Sequence, residues 1–222
     1  MEPYIVKVIA VDKITHDTLK ITTEKPAGYS YTPGQATELA INKAYWNNEK
    51  RPFTFTSLPG DNHLEFIIKT YPSHNGVTNE LLKLMPNDEV IIHDSWGAIT
   101  YKGPGLFIAG GAGVTPFISI FRELAKENML SGNRLIFANK TKEDIILEKE
   151  LKRYLGEEMI SILSDESLTG YRHGFITQQI LKELLPHYNK NLYVCGPPPM
   201  MDAVMQSLAN LGVSDKSVTV EL

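Results

Sequence analysis

Four short stretches combine residue types that handle anions and flat rings. Leu106-Phe107-Ile108-Ala109 is an unbroken apolar run, and Gly110-Gly111-Ala112-Gly113-Val114-Thr115-Pro116 leads from it into an amphipathic segment. Gly111 and Gly113 let a backbone approach a diphosphate closely. The start of the following helix carries roughly half a positive charge that favours such an anion. Thr115 is a candidate cap, Pro116 suits a first helical turn, and Val114 lies between loop and helix. A glycine loop of this kind also serves as a plain tight turn; its place between a buried strand and a helix start favours phosphate binding.

The second stretch, Arg51-Pro52-Phe53-Thr54-Phe55-Thr56-Ser57, reads as a strand, with Arg51, Phe53, Phe55 and Ser57 on one face and Thr54 and Thr56 on the other. It is either an ordinary barrel strand or a site where Arg51 pairs with a phosphate, Phe53 stacks on a ring and hydroxyls bond to it. The third, Asn75-Gly76-Val77-Thr78-Asn79, opens a helix and is a second candidate anion site or a simple helix start. The fourth, Val194-Cys195-Gly196-Pro197-Pro198-Pro199-Met200, ends an apolar strand. In an open parallel sheet that is where ligands sit. Cys195 is either packing or part of the site.

The elements that must position these stretches change rhythm midway. Up to about residue 95, strands are expected over 4–12, 18–24, 36–42, 51–57, 63–71 and 88–94, with one helix at 77–85 on which Leu81, Leu82 and Met85 recur at helical spacing. That pattern predicts a small antiparallel β-barrel. After Gly103-Pro104-Gly105, strands at 105–109, 133–138, 159–163 and 191–195 alternate with helices at 115–127, 145–155, 176–185 and 198–210, and a last strand runs over 218–222. Alternation of this kind predicts an α/β parallel sheet covered on both faces. Two domains follow, residues 1–100 and 101–222.

Composition sets limits on function. The chain has 222 residues, 42% of them apolar and 22% charged, which is the profile of a folded water-soluble protein. A net charge of −4 offers no overall field for nucleic acid or an anionic membrane, so neither is an expected partner. One cysteine excludes an internal disulfide and a four-thiolate cluster from this chain, and a reducing, cytoplasmic setting is expected. The amino terminus lacks the basic and apolar runs of a secretory signal. The uncharged segment from Gly103 to Phe121 is broken by Pro104, Pro116 and five glycines, and reads as strand, loop and helix start rather than a membrane span.

Several chemistries lack their parts. The six histidines are scattered without metal-ligand spacing, and no Gly-x-Ser-x-Gly elbow or Walker loop occurs. No metal site is expected. A standard Rossmann dehydrogenase is disfavoured, because Pro116 stands where a third glycine belongs and the second parallel strand ends at Asn139-Lys140 without an acid.

Taken in order, the four stretches resemble the ferredoxin–NADP reductase superfamily of flavodoxin reductase-like flavoproteins. Arg51 to Ser57 is similar to the family's Arg-x-Tyr-Ser-x-x-Ser flavin motif, with Phe53 for tyrosine and Thr54 for serine. Gly76-Val77-Thr78-Asn79 resembles the segment that binds the flavin diphosphate, and Gly110 to Pro116 the nicotinamide-binding loop. Cys195-Gly196-Pro197 with Met200 resembles the second half of that site, and Tyr31-Thr32-Pro33-Gly34-Gln35 a structural turn of the family barrel.

The resemblance implies a flavin-binding barrel holding FAD, a dinucleotide domain taking NAD(P)H, and hydride transfer between rings that meet at the interface. It implies that Thr54 bonds the flavin nitrogen that receives the hydride, that Cys195 lies beside the nicotinamide, and that Glu221 matches an acid near the carboxyl terminus of related reductases. Electrons would pass to a flavodoxin, a ferredoxin, an oxygenase component or a small molecule. Two departures carry expectations. The sequence ends at Glu221-Leu222 without the aromatic that covers the flavin, which implies less gated transfer. Ser164-Asp165 stands where relatives selective for the 2′-phosphate carry Ser-Arg, so Asp165 predicts a preference for NADH. The alternatives are a sensor that binds cofactor without turnover, or an electron-transfer subunit of a larger complex.

Overall fold

The computed structural model describes residues 2–220 apart from Pro72, Ala98, Asn189 and Lys190; Glu221 therefore lies outside the described residues. In the first half, β1 (Tyr4–Thr15), β2 (Thr18–Glu24), β3 (Ala36–Ile41), β4 (Arg51–Thr54), β5 (His63–Lys69) and β6 (Glu89–Ile92) form one antiparallel sheet in the order β4-β3-β6-β1-β2-β5. Alternation along these strands turns Val6, Val8, Ile21, Leu39, Leu64 and Phe66 into a single core.

The run expected as one strand over 51–57 is shared between two partners. β4 pairs with β3 only as far as Thr54, after which Phe55 bridges Phe66 and the Thr56 N–H donates to the Glu65 carbonyl at 2.8 Å. That switch brings the two edge strands together and closes the barrel. Phe55 is buried in the interior, stacked on Tyr31 with ring centroids 4.2 Å apart.

The helix expected over 77–85 is shorter: α1 (Val77–Glu80) tightens into a 3₁₀ turn, Leu81–Lys83. Pro86 disfavours helical backbone at Met85, and the tightening changes the inward stripe. Val77, Leu81 and Leu84 are buried, whereas Leu82 and Met85, which recur with Leu81 at helical spacing, are exposed.

The second half contains β7 (Leu106–Gly110), α2 (Thr115–Lys126), β8 (Arg134–Asn139), α3 (Glu148–Leu155), β9 (Met159–Leu163), β10 (Arg172–His173), α4 (Gln178–Tyr188), β11 (Leu192–Cys195), α5 (Pro198–Asn210) and β12 (Val218–Val220). The sheet is parallel, in the order β10-β9-β8-β7-β11-β12, and its direction of growth reverses between β7 and β11. Short β10 has no sequence signal; it exists by pairing with β9. α3 starts three residues later than the apolar pattern predicts because Leu147 adopts a left-handed conformation (φ 50°), leaving Ile145 and Ile146 buried ahead of the helix.

α2 joins the halves. Phe117, Phe121 and Leu124 bury against the sheet, each worth roughly 1.5–3 kcal/mol. The helix also faces the barrel: Ser119 Oγ accepts the Gly34 N–H at 3.1 Å, and Arg122 reaches Thr56 and Glu65. Gly34 holds φ 93°, and a side chain there would strike the Ile99 carbonyl, which explains glycine in the Tyr31–Gln35 turn.

Candidate functional site

A cavity of about 560 Å3 opens at the carboxyl ends of the parallel strands, over the point where the sheet order reverses. This is the size and place at which open α/β sheets hold small ligands. Its floor is made by Gly110 to Gly113 from one side and Cys195 to Pro197 from the other, with Met200 behind them.

Glycine is required in this floor by close approach. A side chain on Gly113 would collide with the Cys195 carbonyl, and one on Gly110 with Met200 Sδ. Gly111 differs: φ is 52°, and a Cβ there would meet nothing within 4 Å, so its backbone faces open space. The residues Gly111 to Val114 form a 3₁₀ turn leading into α2. Thr115 does not cap that helix as the sequence predicts. Because the 3₁₀ turn runs straight into α2, Thr115 is already helical, and its hydroxyl donates to the Ala112 carbonyl at 2.9 Å. Thr115 and Pro116 are buried beneath the loop.

The cavity thus gathers Gly111, Gly113, Cys195, Gly196, Pro197 and Met200, while Asp165 is exposed just beyond its rim, next to the lining residue Ser164. The Ser164 hydroxyl donates to Asp165 Oδ1 at 2.6 Å. The Arg51–Ser57 and Gly76–Thr78 stretches do not line this cavity. They sit on the barrel, with Arg51 and Pro52 exposed, Phe53 partly buried and Thr54 buried at the end of β4. Ser57 is consumed internally: its oxygen accepts the Glu65 N–H at 2.9 Å and bonds Tyr31 Oη at 2.8 Å. It therefore braces the stretch from behind. Val77 is likewise buried in the barrel core, and Thr78 is partly buried.

Several lining residues were missed by sequence reasoning. Lys69 and Tyr71 come from the end of β5 and make the barrel one wall of the cavity; Phe175, 74% exposed, stands at the rim. Asn139 was seen only as the missing acid of a Rossmann pattern. It is 8% exposed, and both polar atoms of its carboxamide lack a hydrogen-bond partner among the described residues.

Charge around the cavity is organised across the two halves. Lys69 Nζ lies 2.8 Å from Asp17 and 3.7 Å from Asp144, which itself accepts the Thr141 N–H and hydroxyl, each at 2.8 Å. Burial pulls the Lys69 pKa down, but the Asp17 hydrogen bond and charge, with the Asp144 charge, more than offset it and hold the ammonium above its ordinary value. His16, Asp17 and Asp144 are close enough to share a cation, and the Lys69 ammonium already supplies that charge.

Arg122 forms the second cross-domain knot. Its Nη1 donates to Glu65 Oε1 at 2.6 Å and to the Thr56 carbonyl at 2.7 Å, while Nε and Nη2 grip Glu150 at 2.7 and 3.1 Å. Burial lowers the guanidinium pKa, and the Glu150 and Glu65 contacts overcome this and raise it.

The residues present fit both groups that the sequence implies. A dinucleotide has a cavity of suitable size, an open glycine backbone and an orphaned carboxamide. A flavin diphosphate has the exposed Arg51 guanidinium and Gly76, where a Cβ would meet nothing within 4 Å.

A closed antiparallel barrel, locked to a parallel sheet with its cavity at the switch point and the barrel as one wall, defines a two-domain protein suited to hold a flavin and a dinucleotide. Residues 4–114 match the FAD-binding domain family, and residues 107–206 match the oxidoreductase NAD-binding domain family. The chain belongs to the ferredoxin reductase-like family, in which an FAD-binding domain is joined to an NAD-binding domain.

Among its relatives is the 2-halobenzoate 1,2-dioxygenase electron transfer component of Burkholderia cepacia, 29% identical over 212 residues, covering 90% of this chain and 61% of that protein. NADH-cytochrome b5 reductase 1 of Lodderomyces elongisporus is 33% identical over 178 residues, covering 73% of this chain and 58% of that one. The chain thus spans about three-fifths of the length of these curated relatives. The FAD/NAD-binding domain of a nitric oxide dioxygenase from Vibrio cholerae shares the fold, with a TM-score of 0.86 at 20% identity over 100% of this chain and 98% of that one. Among the described residues, no helix is long and apolar enough to cross a membrane.

Proposed function

We propose that the chain is an NADH-dependent flavin reductase module that passes electrons to a separate redox protein. The observation that carries this reading is the composite cavity: Lys69 and Tyr71 of the barrel and the Gly110–Gly113 and Cys195–Pro197 turns of the parallel sheet line one space. A molecule held there touches both halves, as a hydride donor must to reach a ring held by the barrel.

In this reading the division falls near residue 100. Arg51 and the Gly76–Thr78 backbone hold the diphosphate of FAD, Phe53 lies against its ring system, and the Thr54 hydroxyl bonds the ring nitrogen that accepts hydride. Gly111 and Gly113 admit the dinucleotide, Cys195 and Gly196 flank the nicotinamide, and Pro197 with Met200 closes the pocket behind it. Val114, Thr115 and Pro116 fix the helix under the loop. Glu221 is assigned to the nicotinamide end by resemblance alone. Bound FAD and NADH supply the hydride chemistry; the chain's residues orient the rings and exclude water.

The acceptor is a ferredoxin, flavodoxin or oxygenase component, a reading supported by relatives that are electron-transfer components of oxygenase systems. Cytoplasmic residence suits the reduced thiol at Cys195. The purified protein should be yellow, release FAD on denaturation and bleach anaerobically with NADH. Protein that binds no flavin when supplied in excess overturns the proposal; yellow protein that NADH leaves oxidised assigns it to the sensors.

A further inference from the structure

We propose that Ser119 is a positioning residue for hydride transfer: through Gly34 it fixes the strand assigned to the flavin relative to the glycine loop assigned to the dinucleotide. The inference rests on the reading of those two stretches as cofactor sites. It gives a task to the Tyr31–Gln35 turn, which holds no cofactor in that reading.

Ser119 is fully buried in the second turn of α2, and its hydroxyl bonds in both directions. It donates to the Pro116 carbonyl at 3.4 Å and accepts the Gly34 N–H at 3.1 Å. Pro116 closes the Gly110–Pro116 loop, so the first bond ties the hydroxyl to the end of that loop. The second crosses 85 positions of sequence to the barrel.

From Gly34 the connection runs on through backbone. The turn is braced on itself: the Gln35 N–H donates to the Thr32 carbonyl at 3.1 Å, and the Thr32 N–H to Gln35 Oε1 at 2.8 Å. The Gln35 carbonyl then accepts the Phe55 N–H at 3.0 Å, and the buried Tyr31 hydroxyl bonds Ser57 Oγ at 2.8 Å. The turn therefore holds residues 55 and 57, directly beyond Thr54. A Cβ on Gly34 would lie 3.3 Å from Ile120 Cδ1, so turn and helix are also in apolar contact. Apolar contact is non-directional, whereas a hydrogen bond weakens steeply when its length or angle changes. The Ser119 bond is thus the part of this contact that sets the register of helix against turn. Reacting atoms must come within about 3–3.5 Å, and a misplacement of about 1 Å costs on the order of 100-fold in rate.

The test compares the FAD-loaded wild-type protein with Ser119→Ala, Ser119→Cys and Ile118→Val. Cysteine keeps the volume of serine but is a weak acceptor; Ile118, buried on the same helix, loses one methyl group and no hydrogen bond. Stopped-flow bleaching of FAD at saturating NADH should slow about 5- to 50-fold in Ser119→Ala, and to a similar extent in Ser119→Cys. Affinity for NAD+ should stay within about twofold of wild type in both, because no group that touches the ligand has changed. Deuterated NADH should slow bleaching in the variants at least as strongly as in wild type, since the impaired step is the hydride step. Ile118→Val should melt at a lower temperature yet bleach at the wild-type rate. An unchanged rate in both serine variants, or an equal slowing in Ile118→Val, overturns the proposal and leaves Ser119 a packing contact. Wild-type protein that binds no FAD, or that NADH does not bleach, instead overturns the reading of the two cofactor sites.

Discussion

Arg122 Nη1 lies 2.6 Å from Glu65 Oε1, so a side chain on the helix leaving the glycine loop is ion-paired to the strand that closes the flavin barrel. The same nitrogen bonds the Thr56 carbonyl, two residues beyond Thr54. The spacing of the two halves is thereby set by a charge-assisted contact as well as by apolar packing.

Removing this contact tests both roles. Arg122→Met leaves Glu65 buried without its partner and should cost about 3 kcal/mol in chemical denaturation. Loosened ring alignment should slow reduction of FAD by NADH at least about tenfold in stopped flow with little change in KM. Arg122→Lys keeps the charge but loses the forked geometry, and should recover only part of the rate.

The acid limb of stability follows from the same knot. Burial raises the Glu150 pKa, but the Arg122 hydrogen bond and charge pull it below the ordinary 4.5; Asp17, bonded to Lys69, lies below 3.8 by the same balance. Around pH 4 the unfolded chain therefore binds more protons than the folded one. The stabilisation from these carboxylates is complete above their unfolded values and disappears as pH falls through the lowered ones. Melting temperature should drop between about pH 5 and about pH 3, and Arg122→Met should flatten that limb by the Glu150 share. An unchanged limb in the variant would falsify the pairing.

Gly113 tolerates no side chain, because a Cβ would run into the Cys195 carbonyl. Gly113→Ala should push the two turns apart, cost about 1–3 kcal/mol and weaken NAD+ binding at least about tenfold. FAD retention, read by absorbance, should be unaffected.

Thr54 is buried at the end of β4, and its hydroxyl is the group assigned to the hydride-accepting edge of the flavin. Thr54→Val keeps the shape and removes the bond. Reduction by NADH should slow about 10- to 100-fold while the protein stays yellow; an unchanged rate would remove Thr54 from the site.

Asp165 is exposed at the cavity rim, and its charge disfavours a 2′-phosphate. The wild-type protein should show a higher kcat/KM with NADH than with NADPH, and Asp165→Arg should shift the ratio towards NADPH at least about tenfold. A native preference for NADPH would end this argument.

The architecture could be read from the chain because its causes are local. Period-two alternation in Tyr4–Thr15 and Thr18–Glu24, and apolar strands alternating with helices after residue 105, record which face of each element meets the core. One error fell where neighbours distant in sequence intervene: β4 ends at Thr54 because the next residues pair with β5. The other was local, since Pro86 ends the helix early and the 3₁₀ turn that replaces it leaves Leu82 and Met85 exposed.

The candidate site divides in the same way. The turns at 110–113 and 195–197 were legible because their glycines show in the sequence itself, and at Gly113 the structure gives the reason, a close approach to the Cys195 carbonyl. Lys69, Tyr71, Asn139 and Phe175 had no such mark, since nothing about a lysine at a strand end says which cavity it will line.

By itself the sequence determined the antiparallel and parallel halves, their order, and the glycine loops, because periodicity and glycine are properties of the chain within a few residues. Tertiary structure alone decided how the halves are locked, since Arg122 and Glu65 are 57 positions apart. It also decided that Asn139 is buried, its amide without a hydrogen-bond partner among the described residues. Burial and ion pairing depend on which distant surfaces meet, and no local pattern encodes that.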